Sequence, residues 1–188
     1  MMKTVFYSLL MLPALAWAQA TSYLHIAEPL RFDGRNYYLQ WSANSAPGYY
    51  KEEFLPRGQT PERYRNMLIV DWLQTNISPQ QAMQRKVAEL QQLKAAGHQV
   101  SWQAAAGDEP KLDFIMVARV NGEPVIEHNL YRYRAATAAG KRAVVLFAAS
   151  RRAYGEADIK RFADKLPTEG SAFSRKAQAL PFPVVNVK

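Results

Sequence analysis

Three histidines, His25, His98 and His128, come first in any search for chemistry in this chain. None has a second histidine at metal-binding spacing, and no H-E-x-x-H occurs, so no metal site is expected. Glu127 and His128 are adjacent. Neighbours on a strand point to opposite faces, so the pair cannot converge on one ion, and His128 reads as an ordinary sheet residue. Glu52-Glu53 has the same geometry, which rules it out as a converging acid–base dyad. Asp71 differs because it stands inside the apolar run Met67 to Leu73. It is either an outward polar position paired with Arg63 or Arg65, or a partly buried carboxylate in a pocket with Tyr50 and Tyr64. Ser42, Ser45, Ser101, Ser150, Ser171 and Ser174 have no G-x-S-x-G context, and the chain has no P-loop or G-x-G-x-x-G. A triad is assembled in space, so spacing alone leaves hydrolytic chemistry open. The reading that follows is a non-enzymatic protein without a cofactor, with a small enzyme as the alternative.

Charge points to partners. The chain carries a formal net charge of +8 and no cysteine. Residues 131–188 alone hold twelve Lys/Arg and four Asp/Glu, which accounts for that whole excess. The basic pairs Lys141-Arg142, Arg151-Arg152, Lys160-Arg161 and Arg175-Lys176 are either solvated ends of elements or, the first three above all, one patch. A joint patch would meet an anionic envelope component, such as phospholipid head groups, lipopolysaccharide or a cell-wall polymer. No RRM, OB or helix-turn-helix pattern is present, so nucleic acid is not an expected partner.

Residues 1–20 read as a secretory signal peptide: Lys3, an apolar core from Val5 to Leu12, and the small-x-small sites Ala16-Trp17-Ala18 and Ala18-Gln19-Ala20. The apolar run falls short of the roughly 20 residues that span a bilayer. Residues 21–188 then form one domain in an oxidising compartment without disulfides, and the expected location is the periplasm.

The elements that position these residues are legible as patterns. Tyr37–Ser42, Tyr49–Leu55, Met67–Leu73, Gln99–Ala104, Leu112–Val120, Val125–Arg134 and Lys141–Arg151 read as strands. Asn121-Gly122 is a hairpin turn. The first two strands pair, the last four form a meander, and the run Ala143–Ala149 is central. Ser78, Pro79 and Gln81 start a helix that ends before Gly97, with Met83, Val87 and Leu90 inward. Ile115 and Val117 are expected beneath it. Glu156–Leu166 is a second helix, and a shorter third ends before Pro181-Phe182-Pro183. Val184–Val187 either adds an edge strand or stays loose. Between the second and third strands, Pro56-Arg57-Gly58 ends the strand, and Thr60-Pro61-Glu62 predicts a short capped helix.

That stretch, EEFLPRGQTPERYRNMLIV, resembles a strand, P-x-G-Q-T turn, short helix and strand motif of small exported bacterial proteins. Those proteins resemble the PsbP-like α+β fold. The resemblance covers about twenty residues and implies a fold, not an activity. The expectation is therefore a single α+β domain, an antiparallel sheet of about five to seven strands with helices packed mainly on one side. Its function would be that of an envelope accessory or binding protein, or else an interaction protein using a free sheet edge.

Overall fold

Period-two patterning becomes one curled antiparallel sheet in the computed structural model, which describes residues 20–187. All but Ala20 of the expected signal peptide lies outside the described residues. The strands are β1 (Leu30–Phe32), β2 (Arg35–Ala46), β3 (Tyr49–Leu55), β4 (Asn66–Gln74), β5 (Gln99–Ala105), β6 (Lys111–Val120), β7 (Glu123–Ala138) and β8 (Lys141–Tyr154). Their spatial order is β1-β2-β3-β4-β8-β7-β6-β5. The chain lays down one half as hairpins and the other as a meander, and β8 joins the halves by pairing with β4. β8 is thus interior, which explains why its run Ala143–Ala149 is apolar on both faces. Asn121 (φ 50°) and Gly122 (φ 82°) form the two-residue β6–β7 turn, where both residues must be left-handed.

Three helices complete the described residues: α1 (Pro79–Ala95), α2 (Glu156–Lys165) and α3 (Ser171–Ala179), with a wide π turn over Leu166–Gly170 between the last two. Ser78 caps α1 by accepting from Gln81 N–H, and the Gln81 side chain accepts from Ser78 N–H in return. α1 covers one face of the sheet, placing Met83 and Leu90 on Val100, Leu112, Phe114, Tyr133 and Val144. α3 covers the opposite face, with Phe173 and Ala177 against Leu130, Phe147 and Ala149. The N-terminal segment (Leu24, Ile26) and the C-terminal tail (Phe182, Val185) share that second layer. Asn186 N–H donates to Leu24 O at 2.9 Å, so the tail lies on the N-terminal segment rather than extending the sheet. Phe182 is gripped by the guanidinium groups of Arg132 and Arg134, at 4.7 and 4.1 Å from its ring.

These observations correct the expected architecture. The sheet has eight strands rather than five to seven, and its helices lie on both faces, not mainly on one. A sheet this wide leaves two apolar faces, and each must be covered. Leu112, Phe114 and Met116 pack under α1, whereas Ile115 and Val117 have the opposite parity and face the α3 side. No helix forms after Thr60. Residues 56–65 are a loop with Gly58 at φ 83°, organised by the Gln59 side chain, which accepts from Arg65 N–H at 2.6 Å and Asn66 N–H at 3.2 Å.

Candidate functional site

A cleft of about 440 Å³ runs between β5–β6 and α3. Its lining includes Ser101, Gln103, Asp113, Ser171, Arg175 and Gln178, with His128 and Ser174 at its floor. The sheet register builds it. Ile115, His128 and Arg151 lie side by side across β6, β7 and β8, and Asp113 sits one same-face step along β6, diagonal to His128. α3 then lowers Ser174 onto them.

His128 Nε2 is 2.7 Å from Asp113 Oδ1, and Ser174 Oγ donates to Asp113 Oδ2. Arg151 approaches His128 Nδ1 through Nε at 3.3 Å and Nη2 at 3.2 Å. A guanidinium only donates, so Nδ1 is the acceptor and the imidazole hydrogen sits on Nε2, pointing at Asp113; this tautomer is assigned from the network. Arg151 is held flat between Phe162 and Phe173, 4.7 and 4.9 Å from their rings. Burial lowers its pKa, which remains opposed by Glu169 and Asp113. Burial pushes Asp113 up, but the hydrogen bonds from His128 and Ser174 outweigh it, with the charges nearby, and hold the carboxyl below its usual range. The His128 side chain is only 3% exposed, while that of Asp113 is 28% exposed and reachable from the cleft.

In a hydrolytic triad the imidazole stands between hydroxyl and carboxylate with a lone pair toward the hydroxyl. Here Ser174 Oγ lies 3.4 Å from His128 Nε2, and the Asp113 carboxylate binds both of them. Nδ1 is occupied by Arg151 and Nε2 carries a hydrogen, so no ring lone pair faces Ser174. The network orients a polar surface and does not present an activated nucleophile.

Of the basic and pocket candidates read from the sequence, Arg151 reaches His128 and Arg175 lines the cleft, and the others lie elsewhere. Arg151 and Arg152 are successive strand residues and point to opposite faces. Arg151 faces His128, whereas Arg152 pairs with Glu127 and lies 4.2 Å over the Tyr64 ring. Lys141 and Arg142 are exposed at the far end of β8. Lys160 and Arg161 pair with Asp164 and Asp158 on their own helix. The six do not share a surface. Asp71 and Tyr64 are on the α1 face, but Tyr50 is on the other, stacked on Tyr23 at 5.6 Å. The Asp71 partner is Tyr49, whose hydroxyl donates at 3.2 Å. Burial raises the Asp71 pKa to about 6, and Oδ1 is buried without a partner. Glu52, fully buried, accepts from the N–H groups of Tyr23 and Leu24 at 2.6 and 2.8 Å, and Glu53 pairs with Lys51.

Asp113 and Ser174 were not picked out by spacing, because the site draws on three strands and a helix. The available signal was Asp113 itself, a carboxylate within the otherwise apolar run Leu112–Val117. Among the described residues, no helix is long and apolar enough to cross a membrane. No curated protein and no solved structure matches the chain, so nothing ties it to the PsbP-like fold. The model of a protein family whose function is uncharacterised matches residues 24–182, from the buried N-terminal segment to the clamped tail, and the chain belongs to that family.

Proposed function

We propose that this chain is a non-enzymatic binding protein of the bacterial cell envelope, and that its binding site is the cleft between β5 and α3. The wiring of His128 carries this reading. The Nδ1 lone pair is committed to Arg151 and the Nε2 hydrogen to Asp113, which leaves no ring lone pair for Ser174 and keeps Asp113 and its neighbours fixed at the cleft floor. Pre-organised polar groups in a concave site suit recognition, because little ordering remains to be done on binding. Export rests on the signal-like residues 1–20.

The test is a titration of isotope-labelled mature protein with separated envelope lipid, saccharide and peptide fractions. Backbone shifts are expected to cluster on Ser101, Gln103, Asp113, Ser171 and Arg175. Shifts confined to other surfaces, or turnover of ester substrates lost on Ser174→Ala, would overturn the reading. Fractionation of cells supplies the second arm: protein retained in the cytoplasm contradicts an envelope role.

A further inference from the structure

The two sides of the sheet end very differently. On the β1–β2 side, β1 is three residues long, follows Pro29 and carries exposed Arg31. β2 beyond it has two register shifts, and its Leu39 N–H is taken by Glu28 Oε2 at 2.8 Å. Short length, proline, charge and bulges are the devices that stop a sheet edge from recruiting another strand. The β5 side has none of them. β5 spans seven residues, Gln-Val-Ser-Trp-Gln-Ala-Ala, without a charge, a proline or a bulge, and its register with β6 is unbroken. Among the described residues, its backbone makes no hydrogen bond to other backbone groups than those of β6. Gln99, Ser101, Gln103, Ala104 and Ala105 are exposed, and the Trp102 ring is drawn away under Lys94, 5.5 Å from its ammonium.

This open edge is also one wall of the cleft. A strand added to β5 would project alternate side chains onto the α3 face, over Ser101 and Gln103 and toward Ser171, Arg175 and Gln178. The charges waiting there are unequal. Asp113 has both oxygens engaged by His128 and Ser174, and Glu169 is paired with Lys165. Arg175 is exposed and has no acidic partner among the described residues. Building on the cleft as a binding site, we infer that its ligand is an extended segment of a partner polypeptide that adds to β5 as a ninth strand and places an acidic side chain on Arg175. Backbone pairing supplies the affinity in this mode, and the cleft selects the side chains.

The probe is a short, capped peptide of alternating Thr and Val with one central Glu. Its comparators carry Lys at that position, or N-methyl groups on alternate backbone nitrogens. Binding is read by fluorescence anisotropy, and amide exchange is read at Gln99–Ala105. The Glu peptide is expected to bind and to protect β5 amides. N-methylation is expected to abolish binding, and Arg175→Glu to weaken it roughly tenfold while favouring the Lys peptide. Equal binding of the N-methylated peptide overturns strand addition, and indifference to Arg175→Glu overturns the acidic side chain. Protection of β5 in the protein alone, with a dimer in sedimentation, assigns the edge to a second copy and also overturns the inference. A cleft that responds to lipid or saccharide fractions but to none of these peptides overturns it too, and leaves the broader binding role standing.

Discussion

Tyr154 closes a two-way hydrogen bond with the backbone of Tyr64: its hydroxyl accepts from Tyr64 N–H at 3.1 Å and donates to Tyr64 O at 2.9 Å. One phenol thus satisfies both polar groups of a buried residue in the 56–65 loop and ties that loop to β8. Tyr154→Phe strands both groups. The expected cost is about 2–6 kcal/mol, from about 1–3 kcal/mol for each of the two buried groups left unsatisfied. For a domain of this size that lowers the Tm by about 2–4 °C per kcal/mol. A thermal melt within a degree of wild type would show that water replaces the phenol.

Within the same loop, Gln59 is expected to matter more than Thr60. Gln59→Ala removes the acceptor of two N–H groups and should cost about 1–2 kcal/mol. Thr60 Oγ1 meets only Arg63 N–H, exposed and at 3.3 Å, so Thr60→Ala should stay within about 0.5 kcal/mol. Denaturant melts of the two variants decide the order, and a larger loss at Thr60 would refute it.

Asp71 sets a pH dependence. The unfolded chain releases its proton near 3.8, and the folded protein holds it to about 6, chiefly because burial disfavours the charge. Between those values the folded state binds more protons, so this group lowers stability as pH rises through the window. Lys51 and the Tyr49 hydroxyl oppose the shift, Lys86 more weakly, and Glu53 adds to it. Asp71→Asn should therefore stabilise the protein at pH 7–8, by up to about 3 kcal/mol. The gain should vanish near pH 4. A gain of the same size at both pH values would mean that titration of Asp71 is not its source.

Asp113 works in the opposite sense. Its carboxyl is held below its usual range, so it contributes stability at neutral pH that is lost as pH falls through the folded value. Ser174→Ala deletes one of the two hydrogen bonds favouring the charged form and should move the Asp113 titration upward, as followed by carbon NMR of the carboxyl. A fluorophosphonate probe should leave Ser174 unlabelled, and its covalent capture would reveal a base that the geometry does not provide.

The strands and α1 were legible because local physics specifies them. The Ser78–Gln81 capping box and the Asn121-Gly122 turn each need only neighbouring residues. Which face a strand shows to which layer is not local. In β6, Leu112 and Phe114 on one parity and Ile115 and Val117 on the other are equally apolar, since both faces of the sheet are covered. The sequence pattern cannot tell α1's side from α3's. The same limit hid the cleft. Strand neighbours do diverge, so Glu127 says nothing about His128, whose partners arrive from β6, β8 and α3. Thr60-Pro61 carries a sound helix-start signal, and tertiary bonds from Tyr154, Gln59 and the Arg63–Glu123 ion pair hold the backbone in a loop instead.

The central seam, where Asn66 faces Arg151 and Gln74 faces Ala143, also dictates an order of assembly. The β1–β4 half emerges with the β4 edge open, and the meander can only dock on it once β8 has been made. A chain made N-terminus first therefore exposes the apolar edge Met67–Leu73 until β8 has followed. Such non-local pairing slows folding, and unpaired edges invite aggregation meanwhile.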